Sequence, residues 1–543
     1  MRLKGFCFLL LVACACQRQH QEFDIIVRQG TVYDGSGQPG FGGDVAINGD
    51  TIAAIGDLSG ATGKKEIDAT GLAVAPGFVN MLSWSTNQFI NDGRAMSDIK
   101  QGVTLLVFGE GWSPAPRVKL NRNDSLWTSF DEYFRYVEKK GMSPNVASFA
   151  GATTVRMLVL NQDNRAPSET ELEKMKHAVK QAMEEGAMGV GSSLIYAPAD
   201  YASTDELIQL CKVASEQGGM YITHIRSESD KIYSALNEAF RIASEADIPT
   251  EIYHLKINHQ RNWNKIDTVL AKIDSAQKAG LKITANMYTY TASGTGLTAR
   301  IPTWVQEGGG PAMRRRLRNP ALRKRVLNEL KLGVPTKNSD PHDVLVMGFR
   351  KDSLNKLYKG KRLDEIAKLH GKNADETMLD LVVADHSSVG SIFFLMSEDN
   401  LKRFLKLPFV SFCSDAGPMA AEPPYLDEGT HPRAYGAFAR LLGKYVHEEK
   451  LITLEEAVRR LAALPAENMK IKKRGRLAPG YFADLAIFDP EKISDHGTYE
   501  QPHQYATGMV HVLVNGVPVL ENGSHTGARP GRAIRGPGWK RTP

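Results

Sequence analysis

Apolar positions recur along the chain in two rhythms, and the change between them marks its organisation. From residue 23 to 75 the apolar stretches are short: Asp24-Ile-Ile-Val-Arg28, Thr31-Val-Tyr33, Asp44-Val-Ala-Ile47 and Thr51-Ile-Ala-Ala-Ile55. Asp34-Gly35, Gly42-Gly43 and Asn48-Gly49-Asp50 separate them, and runs punctuated by such turn formers predict antiparallel strands. Residues 471–543 behave alike, with Asp484–Phe488 and Gly508–Val514 set against the turns Asn515-Gly516 and Asn522-Gly523. The two chain ends therefore predict one small β-sandwich assembled from 23–75 and 471–543. Between them, over 76–470, apolar runs alternate with amphipathic helices such as Glu171 to Glu185 and Thr204 to Glu216. The strand candidates are Thr104–Phe108, Asn145–Phe149, Gly189–Leu194, Met220–Thr223, Thr250–Tyr253, Leu281–Ala285 and Phe409–Cys413. Repeated strand–helix units of this length predict an α/β fold, a (β/α)8 barrel of the TIM type. A Lys/Arg-rich stretch over about 298–380 is longer than a barrel loop and predicts an inserted, lid-like helical subdomain.

Two strand candidates end in histidine, Tyr221-Ile-Thr-His224 and Glu251-Ile-Tyr-His254. On parallel neighbours, both imidazoles emerge at the open end of the barrel, where metal-dependent barrel enzymes hold their ion. The alternative is a pair of buried histidines bonded to backbone groups.

Composition narrows the picture only modestly. With 42% apolar and 24% charged residues in 543, the chain is an ordinary globular protein, and its net charge of +6 is small for its length. The basic cluster from Arg314 to Lys331 reads as a solvated helix face, and no aromatic-basic module accompanies it, so nucleic acid is not an expected partner. At the N-terminus Arg2 and Lys4 precede an apolar run, Phe6 to Val12, too short to span a bilayer. Leu11-Val12-Ala13-Cys14 resembles the lipobox of bacterial lipoproteins. Residues 1–22 are then signal and linker, Cys14 is lipidated, and the protein belongs to the bacterial cell envelope, facing the periplasm or cell surface. Membrane contact would run through that lipid alone. An ordinary secretory signal would instead free the protein into the periplasm. Cys211 and Cys413 are expected as separately buried thiols.

Several segments together carry a family. They are Ala75-Pro-Gly-Phe78, Gly186-Ala-Met-Gly-Val-Gly-Ser-Ser-Leu-Ile-Tyr196, His224-Ile-Arg-Ser-Glu228, His254-Leu-Lys256, Ser414-Asp415, His431-Pro-Arg433 and Arg474-Gly-Arg-Leu-Ala-Pro-Gly480. The chain resembles the amidohydrolase superfamily and, within it, the N-acyl-D-amino-acid deacylases (D-aminoacylases). The resemblance implies a metal-dependent hydrolase that cleaves the amide of a small N-acyl-D-amino acid to a carboxylate and a free D-amino acid. The alternatives are a D-residue dipeptidase, a cyclic amide hydrolase, or a binding lipoprotein that has lost the chemistry.

The chain departs from the family pattern twice. Where the family carries His-x-His after Pro-Gly-Phe, Leu82 and Trp84 stand, and neither ligates a cation. Where many members carry a metal-binding cysteine after the second strand, Phe108-Gly-Glu110-Gly-Trp112 places Glu110. One zinc ion held by Glu110, His224 and His254 is therefore expected, a known type of catalytic ligand set, with the family's second site absent. Glu110 paired with Arg226 or Lys256 is the alternative. Asp415 resembles the family's strand-eight aspartate, which takes a proton from water and delivers it to the leaving amine; otherwise it caps a turn before Ala416-Gly417. Arg433 and Lys256 are candidates for the substrate carboxylate, with Tyr196 and Tyr288 beside them. The alternatives are an Arg433 ion pair with Asp427 or Glu428 and tyrosines that only pack the barrel.

Overall fold

The computed structural model describes residues 21–86, 88–117, 127–333 and 339–540. Cys14 and the lipobox lie outside the described residues. Eight parallel strands form the centre, labelled β1 (Phe78–Asn80), β2 (Val103–Phe108), β3 (Asn145–Ser148), β4 (Gly189–Ser193), β5 (Met220–His224), β6 (Thr250–Ile252), β7 (Ile283–Met287) and β8 (Val410–Phe412). β1, β2 and β3 pair in parallel, as do β4 through β8 in order. The short continuation of β3, Ala150–Gly151, pairs with Val190 and Gly191 of β4 and joins the two sets. The ring closes where the residues after β1 meet those after β8: the Met81 amide donates to the Phe412 carbonyl (3.2 Å), and the Asp415 amide to that of Leu82 (3.0 Å). These short strands are buried on both faces because helices wrap one side and the barrel interior fills the other. Val103–Phe108 is buried throughout, and the helix Thr204–Glu216 buries Leu207, Leu210, Cys211 and Ala214 against the ring. Cys211 and Cys413 are both buried and free.

The chain ends meet as expected, in a nine-stranded sheet that combines strands from residues 22–76 with strands from residues 485–525. Its core joins Val27, Val45 and Ile52 to Leu485, Ile487 and Leu513. The expectation of purely antiparallel pairing fails. Glu22–Val32 is antiparallel to Phe41–Asn48 on one side, but pairs in parallel with Thr62–Asp68 and Ala73–Pro76 on the other. After Thr51–Gly56 pairs with Phe41–Asn48, the open edge is the opposite one, and the chain can reach it only by a crossover.

Between β7 and β8 the inserted unit is wider than 298–380 and is not wholly helical. Ser293–Gly296, Val344–Gly348 and Gly390–Phe393 form a three-stranded antiparallel sheet, on which helices pack around a separate core that includes Leu317, Val326, Leu363 and Val382. Among the described residues no helix is long and apolar enough to cross a membrane.

Candidate metal centre

All the groups at issue stand at the C-terminal end of the barrel strands. His224 closes β5, and His254 follows β6 by two residues. The His254 backbone is left-handed (φ 36°), a conformation held by its amide donating to the Asn286 side-chain oxygen (2.8 Å); that amide side chain is in turn fixed by buried Glu251 (2.7 Å). Glu110 is thrown into the mouth by two glycines. Gly109 and Gly111 both have positive φ (108° and 71°), and a Cβ on them would meet the Phe149 carbonyl at 2.5 Å and the Ser193 hydroxyl at 2.1 Å.

Glu110 Oε1 lies 2.8 Å from His224 Nδ1 and 3.1 Å from His254 Nε2, and ligand atoms of all three residues fall within 4.8 Å of one another. The far nitrogens of both imidazoles face Glu228 Oε1, at 3.5 Å for His224 Nε2 and 3.1 Å for His254 Nδ1. Lys256 Nζ joins this group, 2.6 Å from Glu228 Oε1 and 2.7 Å from His254 Nδ1. Burial alone would raise the Glu110 carboxyl, but hydrogen bonds from His224 and His254 hold it well below the ordinary carboxylate range. Burial would likewise depress the His224 imidazole, but the carboxylates of Glu228 and Glu110 carry it up to about 9. Two buried carboxylates around two imidazoles thus form a locus that favours positive charge. Two imidazole nitrogens with a further carboxylate, Glu228, behind their rings, and one carboxylate oxygen of Glu110, fit a catalytic zinc site with a coordination position to spare.

Asp415 also has left-handed backbone (φ 49°), and its position is set across the barrel seam. The Asn80 side chain accepts from the Ser414 amide (2.9 Å) and donates to the Ser414 hydroxyl (2.8 Å) and to Asp98 (2.9 Å). Asp98 is fully buried, and burial pushes its carboxyl up to about 7. Asp415 Oδ2 lies 2.8 Å from Arg433 Nη1, so the carboxylate faces the guanidinium rather than closing a local turn. Burial raises the Asp415 carboxyl, and Arg433 opposes part of that rise.

A cavity lies over these groups, walled by Trp84, Tyr196, Lys256, Asp415, the insertion strand Ser293–Thr295 and Arg300. The structure divides the four substrate-binding candidates. Tyr196 and Lys256 line the cavity, and the Tyr196 hydroxyl donates to Thr295 (3.0 Å). Arg433 and Tyr288 lie beneath it, 1% and 0% exposed, with the guanidinium 4.5 Å from the Tyr288 ring centroid. Neither Asp427 nor Glu428 pairs with Arg433, and Arg226 pairs with Glu238 rather than Glu110. Sequence reasoning missed Glu228, although its spacing of four from His224 was a usable signal. It also missed Trp84 as a contact: its indole N–H donates to Glu110 Oε2 (3.2 Å).

The architecture has known counterparts. A D-aminoacylase of Alcaligenes xylosoxydans xylosoxydans is 33% identical over 531 residues, spanning 95% of this chain and 99% of its own. The chain belongs to the D-aminoacylase family of amidohydrolases. Residues 429–520 match the model of an amidohydrolase family. Among solved structures, an N-acyl-D-glutamate deacylase from Bordetella bronchiseptica, complexed with zinc and a phosphonate inhibitor, superposes with a TM-score of 0.80. It is 28% identical over 95% of this chain and 100% of its own. A D-aminoacylase structure with a binuclear metal center, described by one-metal activation and second-metal attenuation, gives a TM-score of 0.79. Its identity is 31%, over 94% of this chain and 100% of its own.

Proposed function

We propose that this protein is a zinc-dependent hydrolase of N-acyl-D-amino acids, releasing a carboxylate and a free D-amino acid, and that it works with one ion held by Glu110, His224 and His254. The observation that carries this reading is the convergence of Glu110 Oε1 on His224 Nδ1 and His254 Nε2, in a cavity that also contains Asp415. A divalent ion bound there supplies Lewis acidity toward the amide carbonyl and lowers the pKa of water toward about 7. The protein's own groups do the rest. Asp415, ionised and backed by Arg433, accepts the proton of the attacking water and returns it to the leaving amine nitrogen. Glu228 Oε1, 3.5 Å from His224 Nε2 and 3.1 Å from His254 Nδ1, sets a negative charge behind both rings, whose inner nitrogens face Glu110.

The α-carboxylate of the substrate calls for fixed positive charge. Lys256 meets it at the cavity wall, and Arg433 contributes its field from below, with Tyr196 and Tyr288 as hydrogen-bonding and packing companions. The names of the relatives support the D-configuration and the acyl-amino-acid class. The lipobox supports a lipoprotein carried on the cell envelope by Cys14, which would place hydrolysis outside the cytoplasm. The test is release of free amine from matched N-acetyl-D- and N-acetyl-L-amino acids by zinc-loaded protein. Turnover confined to the D series is the expected result; turnover of the L series alone, or of uncharged cyclic amides alone, overturns the reading.

A further inference from the structure

Trp84 lies in the seam that closes the barrel. Its amide donates to the Ala416 carbonyl (3.2 Å), and the adjacent Ser83 bridges Ala416 in the seam that closes the ring. The side chain projects from that seam into the cavity and is 45% exposed. Its indole N–H reaches the one Glu110 oxygen that the histidines do not use: Oε1 faces His224 and His254, whereas Oε2 accepts from Trp84 at 3.2 Å. A carboxylate carrying a fixed donor on one oxygen has a single orientation, with only the other oxygen free to ligate. On the same side of the cavity, Asp415 Oδ2 is occupied by Arg433, whose guanidinium carbon lies 5.6 Å from the Trp84 ring centroid. Glu110 Oε2 therefore carries a donor, and a second cation beside Asp415 Oδ2 would meet the guanidinium charge.

We propose that Trp84 is a positioning residue for the metal centre: it ties down Glu110 Oε2, so that Glu110 offers one oxygen to one ion and cannot bridge to a second. The inference rests on Glu110, His224 and His254 being the ligands. It goes further by giving a role to a residue that ligates nothing.

The test uses the full-length protein and the metal alone. The unmodified protein should take up one zinc per chain even in excess metal. Trp84→Phe removes the N–H and keeps an aromatic ring; it should still bind one zinc but with affinity about 10–100-fold weaker by chelator competition, the range seen when a ligand's supporting partner is lost. Cobalt substituted for zinc should show a changed visible spectrum in this variant, as Glu110 becomes free to offer both oxygens. Should Trp84→Phe fold poorly, the unmodified protein still reports: the Trp84 indole N–H resonance must shift on zinc titration. Equal zinc affinity and an unchanged cobalt spectrum in Trp84→Phe overturn the role of Trp84 and leave the metal centre standing. An indole resonance unmoved by zinc has the same meaning, as do two tightly bound zinc ions in the unmodified protein. A protein that binds no zinc overturns both the ligand assignment and this inference.

Discussion

His254→Ala is expected to yield folded protein that retains neither stoichiometric zinc nor measurable amide hydrolysis. The imidazole at 254 is one of the three donors that converge on the site among the described residues, and its neighbour Lys256 Nζ is held by Glu228. A protonated ammonium in that position opposes a cation rather than replacing a ligand. The side chain is 1% exposed, so its loss also removes the partner that Glu110 and Glu228 share, leaving two buried carboxylates facing each other across a void. Metal analysis after dialysis, alongside an amine-release assay, checks the expectation; a His254→Ala protein with full zinc would show that the ligand set has been misassigned.

Asp415→Asn should have the opposite metal result and a comparable kinetic one. Asp415 is not among the three converging donors, so zinc is retained. Turnover should fall by about 10²–10⁴, the usual contribution of a positioned proton carrier, because an amide cannot accept the proton of water. The pH profile adds a sharper sign. A general base works only when ionised, so activity is present above its pKa and is lost as pH falls through it. Burial raises the Asp415 carboxyl from its ordinary value, and Arg433 opposes part of that rise. The acidic limb of kcat/KM should therefore be displaced upward from where a free aspartate would put it, and vanish in Asp415→Asn. Near-normal turnover in the variant would remove Asp415 from the reaction.

Much of this was legible in the chain itself, for identifiable reasons. Apolar runs ending in His224 and His254 could be read as strand ends because a buried parallel strand has no polar face to confuse the pattern. The helix Thr204–Glu216 was found at its observed boundaries because Ser203 caps it and its apolar spacing is regular. What periodicity does not encode is pairing. The parallel partnership of Thr62–Asp68 with Glu22–Val32 follows from which sheet edge is open, and the small sheet of the insertion forms between strands separated by tens of residues. The site divides along the same line. His224 and His254 on neighbouring strands, and His254 with Lys256 on one segment, could be placed together from sequence, whereas the bond from Trp84 to Glu110 and the pairing of Arg433 with Asp415 could not. In the sequence Trp84 is visible only as a missing ligand; its bond to Glu110 exists because β1 and β2 are neighbours and both end at the mouth. Arg433 was read as facing substrate, but the fold places it under Asp415.

Anomalous diffraction at the zinc edge from crystals of the zinc-loaded protein addresses the central claim most directly. The account predicts a single strong peak about 2.0–2.2 Å from Glu110 Oε1, His224 Nδ1 and His254 Nε2, the ordinary span of zinc–oxygen and zinc–nitrogen bonds. A peak held by other residues, or two peaks of equal strength at the barrel mouth, would contradict it.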